Sequence, residues 1–107
     1  MVLKAKEGDT RLTLKEITPV RMMKNKFFQE VEELYKTSPS KEQLLNKLGR
    51  GRAKLGMFEG DLEAGELEIG QASSQINRVF TAQEIVQQIM TEFNSIKSQM
   101  SIANKFN

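Results

Sequence analysis

The sequence, 107 residues long, contains no cysteine, no histidine and no tryptophan, and only two prolines. Without cysteine there is no disulfide, no thiolate metal site and no thiol nucleophile. Without histidine the commonest general base and metal ligand near neutral pH is missing. Long apolar runs are missing too: none approaches the ~20 residues of a membrane span. Lys4 and Lys6 are not followed by the apolar segment of a signal peptide, so a cytoplasmic protein with no membrane segment is expected. Aromatic residues make up 7% and hydrophobic residues 38% of the chain. At this length that means one small domain with a modest core.

Charge of one sign is not in excess overall, at +2, but it is unevenly placed. Residues 1–58 hold thirteen Lys/Arg against seven acids; residues 59–107 hold three against seven. A basic half suits nucleic acid, yet here the cations are mixed with Glu30, Glu32, Glu33 and Glu42, and no aromatic platform is interleaved. Solvated helix faces explain the pattern better, and a nucleic-acid partner is not expected.

What is present is glycine, concentrated in one place. Gly49 to Gln71 holds six of the seven glycines and five of the fourteen acids. Glycine costs backbone entropy and gives no side chain to pack. This density therefore points to tight turns, or to backbone lying close against another surface. The stretch reads as a shaped wall beside a site whose chemistry lies elsewhere.

Periodicity divides the rest. Thr10 to Ile17 alternates, with Leu12 and Leu14 on one face and Arg11, Thr13 and Lys15 on the other, which predicts a short half-buried strand. After Thr18-Pro19, Val20 and Met22 suggest a second extended segment, giving a ribbon over 10–24 that needs something to lie on. Phe27, Phe28, Val31, Leu34 and Tyr35 predict a helix over Asn25–Lys36. Ser40-Lys41-Glu42-Gln43 is a capping box ahead of Leu44, Leu45 and Leu48. Gly49 fits the position after a helix end, although propensity alone also allows the helix to run on through Leu55. Residues 25–58 are thus a helical pair and 59–71 a loop rich in glycine and acid. Residues 72–100 are terminal helices: a short one opening at Gly70-Gln71-Ala72-Ser73 and reaching Val79, then Ala82–Met100 behind a second capping box at Thr81. In the last helix Ile85, Ile89, Phe93, Ile96 and Met100 form one stripe, widened by Val86 and Met90. The expected fold class is α+β, mostly helical, with a short strand ribbon and about four helices.

None of the chemical constellations is strong. Glu59, Asp61, Glu63, Glu66 and Glu68 offer carboxylates, but an acid/base pair needs burial to separate its pKa values, and acids beside glycines are ordinarily solvated turn residues. Asp61 to Glu66 lacks the alternating oxygen ligands of a calcium loop. Neither a P-loop nor a dinucleotide fingerprint is present. Arg21, Lys24 and Lys26 suggest an anion patch or, equally, a strand edge guarded by lysine. Gly70-Gln71, at a helix start, is a weak anion site by the same reasoning. No catalytic residue and no metal ligand is assigned.

Two blocks of sequence carry a resemblance. One runs through Gly51-Arg52-Ala53-Lys54, Gly56-Met57-Phe58-Glu59-Gly60-Asp61 and Gly65-Glu66-Leu67-Glu68-Ile69-Gly70-Gln71. The other comprises Asp9-Thr10, Pro19-Val20-Arg21 and Lys24-Asn25. Together, from about Leu3 to Phe93, the chain resembles the C-terminal part of the FMN-dependent nitronate monooxygenases (2-nitropropane dioxygenases) and the related flavin-type enoyl-acyl-carrier-protein reductases. The resemblance implies the small region that follows the last strand of an FMN-binding (β/α)8 barrel. Gly70 and Gln71 would then be the cofactor-binding positions, approaching the flavin or substrate. It also implies a missing barrel portion as partner, since no barrel strands, flavin-phosphate glycine turns or catalytic histidine are found here. The chain would be a non-catalytic fragment of an oxidoreductase, binding no FMN alone. The wording of the Gly65–Gln71 block is nearer the reductase branch, whose chemistry passes hydride from a nicotinamide through FMN to an enoyl thioester. A different expectation, a free-standing helical module that self-associates or binds a protein, rests on the Ala82–Met100 stripe and the small core.

Overall fold

A computed structural model of the chain describes residues 1–104. It divides into two units, Met1–Asn77 and Arg78–Asn107, taken here one at a time. The fold class is α+β.

In the first unit, strands β1 (Thr10–Thr13) and β2 (Val20–Met23) pair antiparallel, with Thr10 opposite Met23 and Thr13 opposite Val20. The first strand is shorter than the alternation suggests, and while Arg11 and Lys15 are exposed and Leu14 buried as expected, Leu12 and Thr13 are exchanged. Thr13 is buried and its hydroxyl makes no hydrogen bond, whereas Leu12 is exposed. The cause is Leu14, which leaves the strand at φ 52°. That left-handed turn, closed by Ile17 N–H donating to Leu14 O, swings the Leu14 side chain into the core.

The ribbon lies on helix α1 (Lys26–Tyr35). Asn25 caps it: its Oδ1 accepts from Phe28 N–H at 2.9 Å, satisfying one of the donors that every helix start leaves open. Phe27, Phe28 and Val31 face inward and join Leu14, Met22 and Leu44 in the main core. Helix α2 (Lys41–Leu48) begins at the capping box, with both reciprocal hydrogen bonds of Ser40 and Gln43 formed. Only Leu44 of its stripe is fully buried; Leu45 is exposed. The chain then breaks at Gly49 and restarts at Gly51, both at positive φ. Such backbone is nearly free of strain only for glycine. Helix α3 (Arg52–Met57) is therefore separate and not a continuation of α2.

Val2–Lys4 is a 3₁₀ turn that periodicity does not indicate, and the short helix expected from Gly70 to Val79 is present as a 3₁₀ turn over Gln71–Gln75, ending well short of Val79. They pack against one another. A second, smaller core gathers Ala5, Met23 and Leu67, with Val2 and Ile69 alongside.

The second unit is dominated by helix α4 (Ala82–Asn104). Thr81 and Glu84 make the capping box that starts it, and the Arg78 guanidinium sits 4.0 Å over the Phe80 ring just before. All residues of α4 are exposed.

Candidate functional site

The glycine-rich stretch is an ordered loop, and its order can be traced bond by bond. Asp61 Oδ1 accepts from Glu63 N–H at 3.1 Å and Ala64 N–H at 2.8 Å. Asp61 is thus a turn-making acceptor, not a catalytic or metal-binding carboxylate. Asn25 donates through Nδ2 to Leu62 O at 3.0 Å and Gly65 O at 2.7 Å, so one buried amide both caps α1 and holds the loop. Arg52 works from the other side. Its guanidinium donates to Leu48 O, Lys47 O and Ala64 O and stacks 4.7 Å from the Phe27 ring centroid. Three carbonyl acceptors and an aromatic face fix an arginine far better than they would a lysine.

Close approach explains Gly56 and Gly65. A Cβ built at Gly65 would lie 2.2 Å from Gly56 Cα, and one at Gly56 would lie 2.8 Å from Glu66 O. Loop and α3 therefore touch backbone to backbone. This contact delivers Leu67–Ile69 to the free edge of β2, where Met23 N–H donates to Leu67 O and Ile69 N–H to Arg21 O, both at 3.0 Å. Met22 and Glu68 form an isolated antiparallel bridge.

Glu66 is the one buried acid on this path. Burial raises its carboxyl above the usual range, the Glu68 carboxylate raises it further, and Arg52 pulls the other way. Glu59 pairs with Lys54 at 3.7 Å on the surface. Among the described residues no group of three acidic side chains converges. Of the basic trio, Arg21 is engaged within the ribbon, donating to Thr10 O and Oγ1.

The loop ends at Gly70 and Gln71. Gly70 precedes the 3₁₀ turn with extended backbone, and a Cβ there would meet nothing within 4 Å. Gln71 is exposed. It borders an open cleft of about 460 Å³ between the Lys6–Thr10 turn and the Gln71–Gln75 turn, lined also by Lys6, Thr10, Ser74 and Gln75. The lining is polar, carries one cation and one acid, and includes no aromatic residue. It suits a polar edge of a ligand. An apolar hollow of about 170 Å³ lies elsewhere on the unit, among Val2, Met23, Met57, Leu67 and Ile69.

No family model and no curated protein matches the sequence. Solved structures do match. FabK from Thermotoga maritima aligns with 94% of this chain at a TM-score of 0.74 and 24% identity. A mutant form of the same protein aligns over the same share at 0.71 and 24%. The chain shares this fold. It spans 32% and 29% of the length of those two chains, so it corresponds to about a third of FabK. Sequence reasoning missed Asn25 and Arg52 as the residues that shape the site. Asn25, directly before an apolar helical stripe, is the legible signal of a cap; nothing local in the sequence says that its amide also reaches residues 62 and 65.

Proposed function

We propose that the chain is the C-terminal small region of an FMN-dependent oxidoreductase of the enoyl-acyl-carrier-protein reductase type, with nitronate monooxygenase as the neighbouring branch. The barrel that completes it is the missing partner. The supporting observation is that a FabK-like fold extends over nearly the whole chain, including both blocks that resemble this family. The ordered loop, ending in Gly70-Gln71, is the part offered to the ligand.

The residues of the first unit do not hold FMN by themselves. A tricyclic flavin needs a concave, largely apolar slot and several phosphate donors. The cleft beside Gln71 is open and polar, and the apolar hollow is far too small. Gly70 and Gln71 therefore contribute an edge, and the chain alone is non-catalytic. Phe58, 86% exposed at the end of α3, and the half-exposed Met57 beside it are consistent with a surface that the rest of a longer protein covers.

The test is direct. The chain purified alone should show no flavin absorbance and no NAD(P)H oxidation with added FMN. Expressed with the coding sequence that precedes it, it should yield a flavoprotein that consumes NAD(P)H with an enoyl thioester; turnover of a nitronate instead selects the other branch. Stoichiometric flavin on the isolated monomer, or upstream sequence with no barrel strands, refutes the reading. A second reading, a self-associating helical module, is favoured by one observation: the large apolar side chains of α4 are all exposed.

A further inference from the structure

We infer that residues 66–69 are a pH-sensitive latch: with Glu66 protonated the segment stays bonded to the edge of β2, and with Glu66 ionised it lifts and carries Gly70 and Gln71 with it. The inference concerns the first unit alone and holds with or without flavin. It begins in the alternation Gly65-Glu66-Leu67-Glu68-Ile69. In extended backbone Glu66 and Glu68 share one face, Leu67 and Ile69 the other. Leu67 enters the smaller core with Ala5 and Met23. Of the two acids Glu68 stands in water, whereas Glu66 is only 6% exposed, because α3 closes over it where Gly56 and Gly65 meet.

Nothing offsets that burial. Among the described residues the ion pairs join Arg11 to Glu32, Lys36 to Glu33, Lys47 to Glu30 and Lys54 to Glu59, and none includes Glu66. Two charged groups act on its carboxylate. Glu68, on the same face, repels it; Arg52 of α3 attracts it but has its guanidinium committed to Leu48 O, Lys47 O and Ala64 O. β2 meets the segment with Met22 and Met23. Its Arg21 is bonded across the ribbon to Thr10, and Lys24, just beyond, donates its N–H to Asp9 O. The Glu66 main chain is pinned: its N–H donates to Arg52 O at 3.0 Å and its carbonyl abuts Gly56. An ionised Glu66 therefore gains water when the segment itself moves off α3. The bonds next along are Met23 N–H to Leu67 O and Ile69 N–H to Arg21 O. Burial of Leu67 keeps the lifted state a minor population, the kind of local opening that hydrogen exchange reads. The closed latch holds the Glu66 proton more tightly than the open one. Closure is thus complete at acid pH and is lost as pH rises through the raised carboxyl value.

Amide exchange of the full chain, corrected for the intrinsic rate at each pH, is the test. From about pH 4 to about pH 8, protection of Met23 and Ile69 should fall about tenfold relative to Gln29 in α1, the size expected when a charged acceptor is left buried without a partner. Glu66→Gln should hold both amides at the acid value throughout. Glu68→Gln, which keeps Glu66 but removes its repelling neighbour, should shrink the fall, and it carries the test alone where Glu66→Gln does not fold. Protection that is flat with pH, that falls only in step with Gln29, that falls equally in Glu66→Gln, or that is unaltered by Glu68→Gln overturns the latch. None of these readouts involves flavin, so their failure leaves the oxidoreductase reading standing, and flavin on the isolated chain leaves the latch standing.

Discussion

Replacing Gly65 with alanine tests whether the loop and α3 meet backbone to backbone. The added methyl would sit 2.2 Å from Gly56 Cα and 2.5 Å from both Gly56 N and Asp61 O. None of these atoms is the end of a flexible side chain, so relief requires the loop to move away from α3. Overpacking in a filled interior costs about 1–3 kcal/mol where side chains can adjust. Here the movement also strains the Asn25 bond to Gly65 O and the Arg52 bond to Ala64 O, so about 3 kcal/mol is a fair expectation. A unit of this size melts about 4–8 °C lower for each kcal/mol lost, so the midpoint should fall by roughly 12–24 °C. Tyr35 is the only tyrosine and there is no tryptophan, so near-ultraviolet absorbance or tyrosine fluorescence reports the first unit without interference from α4. Gly56→Ala sharpens the test. In an ordinary helix interior that change stabilises by about 1 kcal/mol; here the clash with Glu66 O and Leu67 should reverse the sign. Gly70→Ala, with open space at its Cβ, should be close to neutral. If Gly65→Ala melts within a few degrees of the parent chain, the close approach is wrong.

Further expectations follow from the loop's anchors. Asn25→Asp keeps a good helix cap but loses both donors to residues 62 and 65, so thermal melts should show a loss of about 2 kcal/mol, and Asn25→Ala should lose more. Arg52→Lys should behave as a disruptive change, because one ammonium cannot serve three carbonyls and a ring face; a loss of about 2 kcal/mol is expected by chemical denaturation. Glu66 gives a pH signature. Its folded carboxyl is raised by burial, then by Glu68, so the folded state holds the proton more tightly than the unfolded chain. Stability from this group is present at acid pH and lost as pH rises through the usual glutamate value to the raised folded one. Glu66→Gln should therefore match the parent in acid and exceed it at neutral pH, and a variant less stable at neutral pH would contradict the burial argument.

How much of this was legible depended on whether the determining interaction was local. The helices over Lys26–Tyr35, Lys41–Leu48 and Ala82–Asn104 follow from apolar spacing and caps within a few residues, and periodicity places them well. Where the decisive contact was distant, it failed. Alternation put Leu12 inside and Thr13 outside, because nothing in Thr10–Ile17 announces that Leu14 leaves the strand at positive φ. Propensity could not choose between one helix and two across Gly49–Leu55, since the deciding fact is the seating of Arg52 between α2, the loop and Phe27. The glycine cluster was visible as a demand for close backbone, but its counterpart surface was not. That surface is α3 itself: Gly56 and Gly65 meet across nine positions of sequence.

This arrangement changes where functional sensitivity should be sought. Five acids in the loop attract attention, yet Asp61 is consumed by two backbone amides, Glu59 pairs at the surface and Glu66 is sealed beneath the chain. Glu63 and Glu68 stand exposed, and among the described residues no three acids gather into a metal site. What the loop supplies is position: Asn25 and Arg52 clamp it, Gly56 and Gly65 let it close, and residues 67–69 register it on β2 before Gly70 and Gln71 emerge. A loop held at so many points does not need chemistry of its own to shape a neighbouring site. Changes at the clamp should disturb whatever Gln71 faces more than changes at the exposed acids do, because only the clamp sets where Gln71 stands.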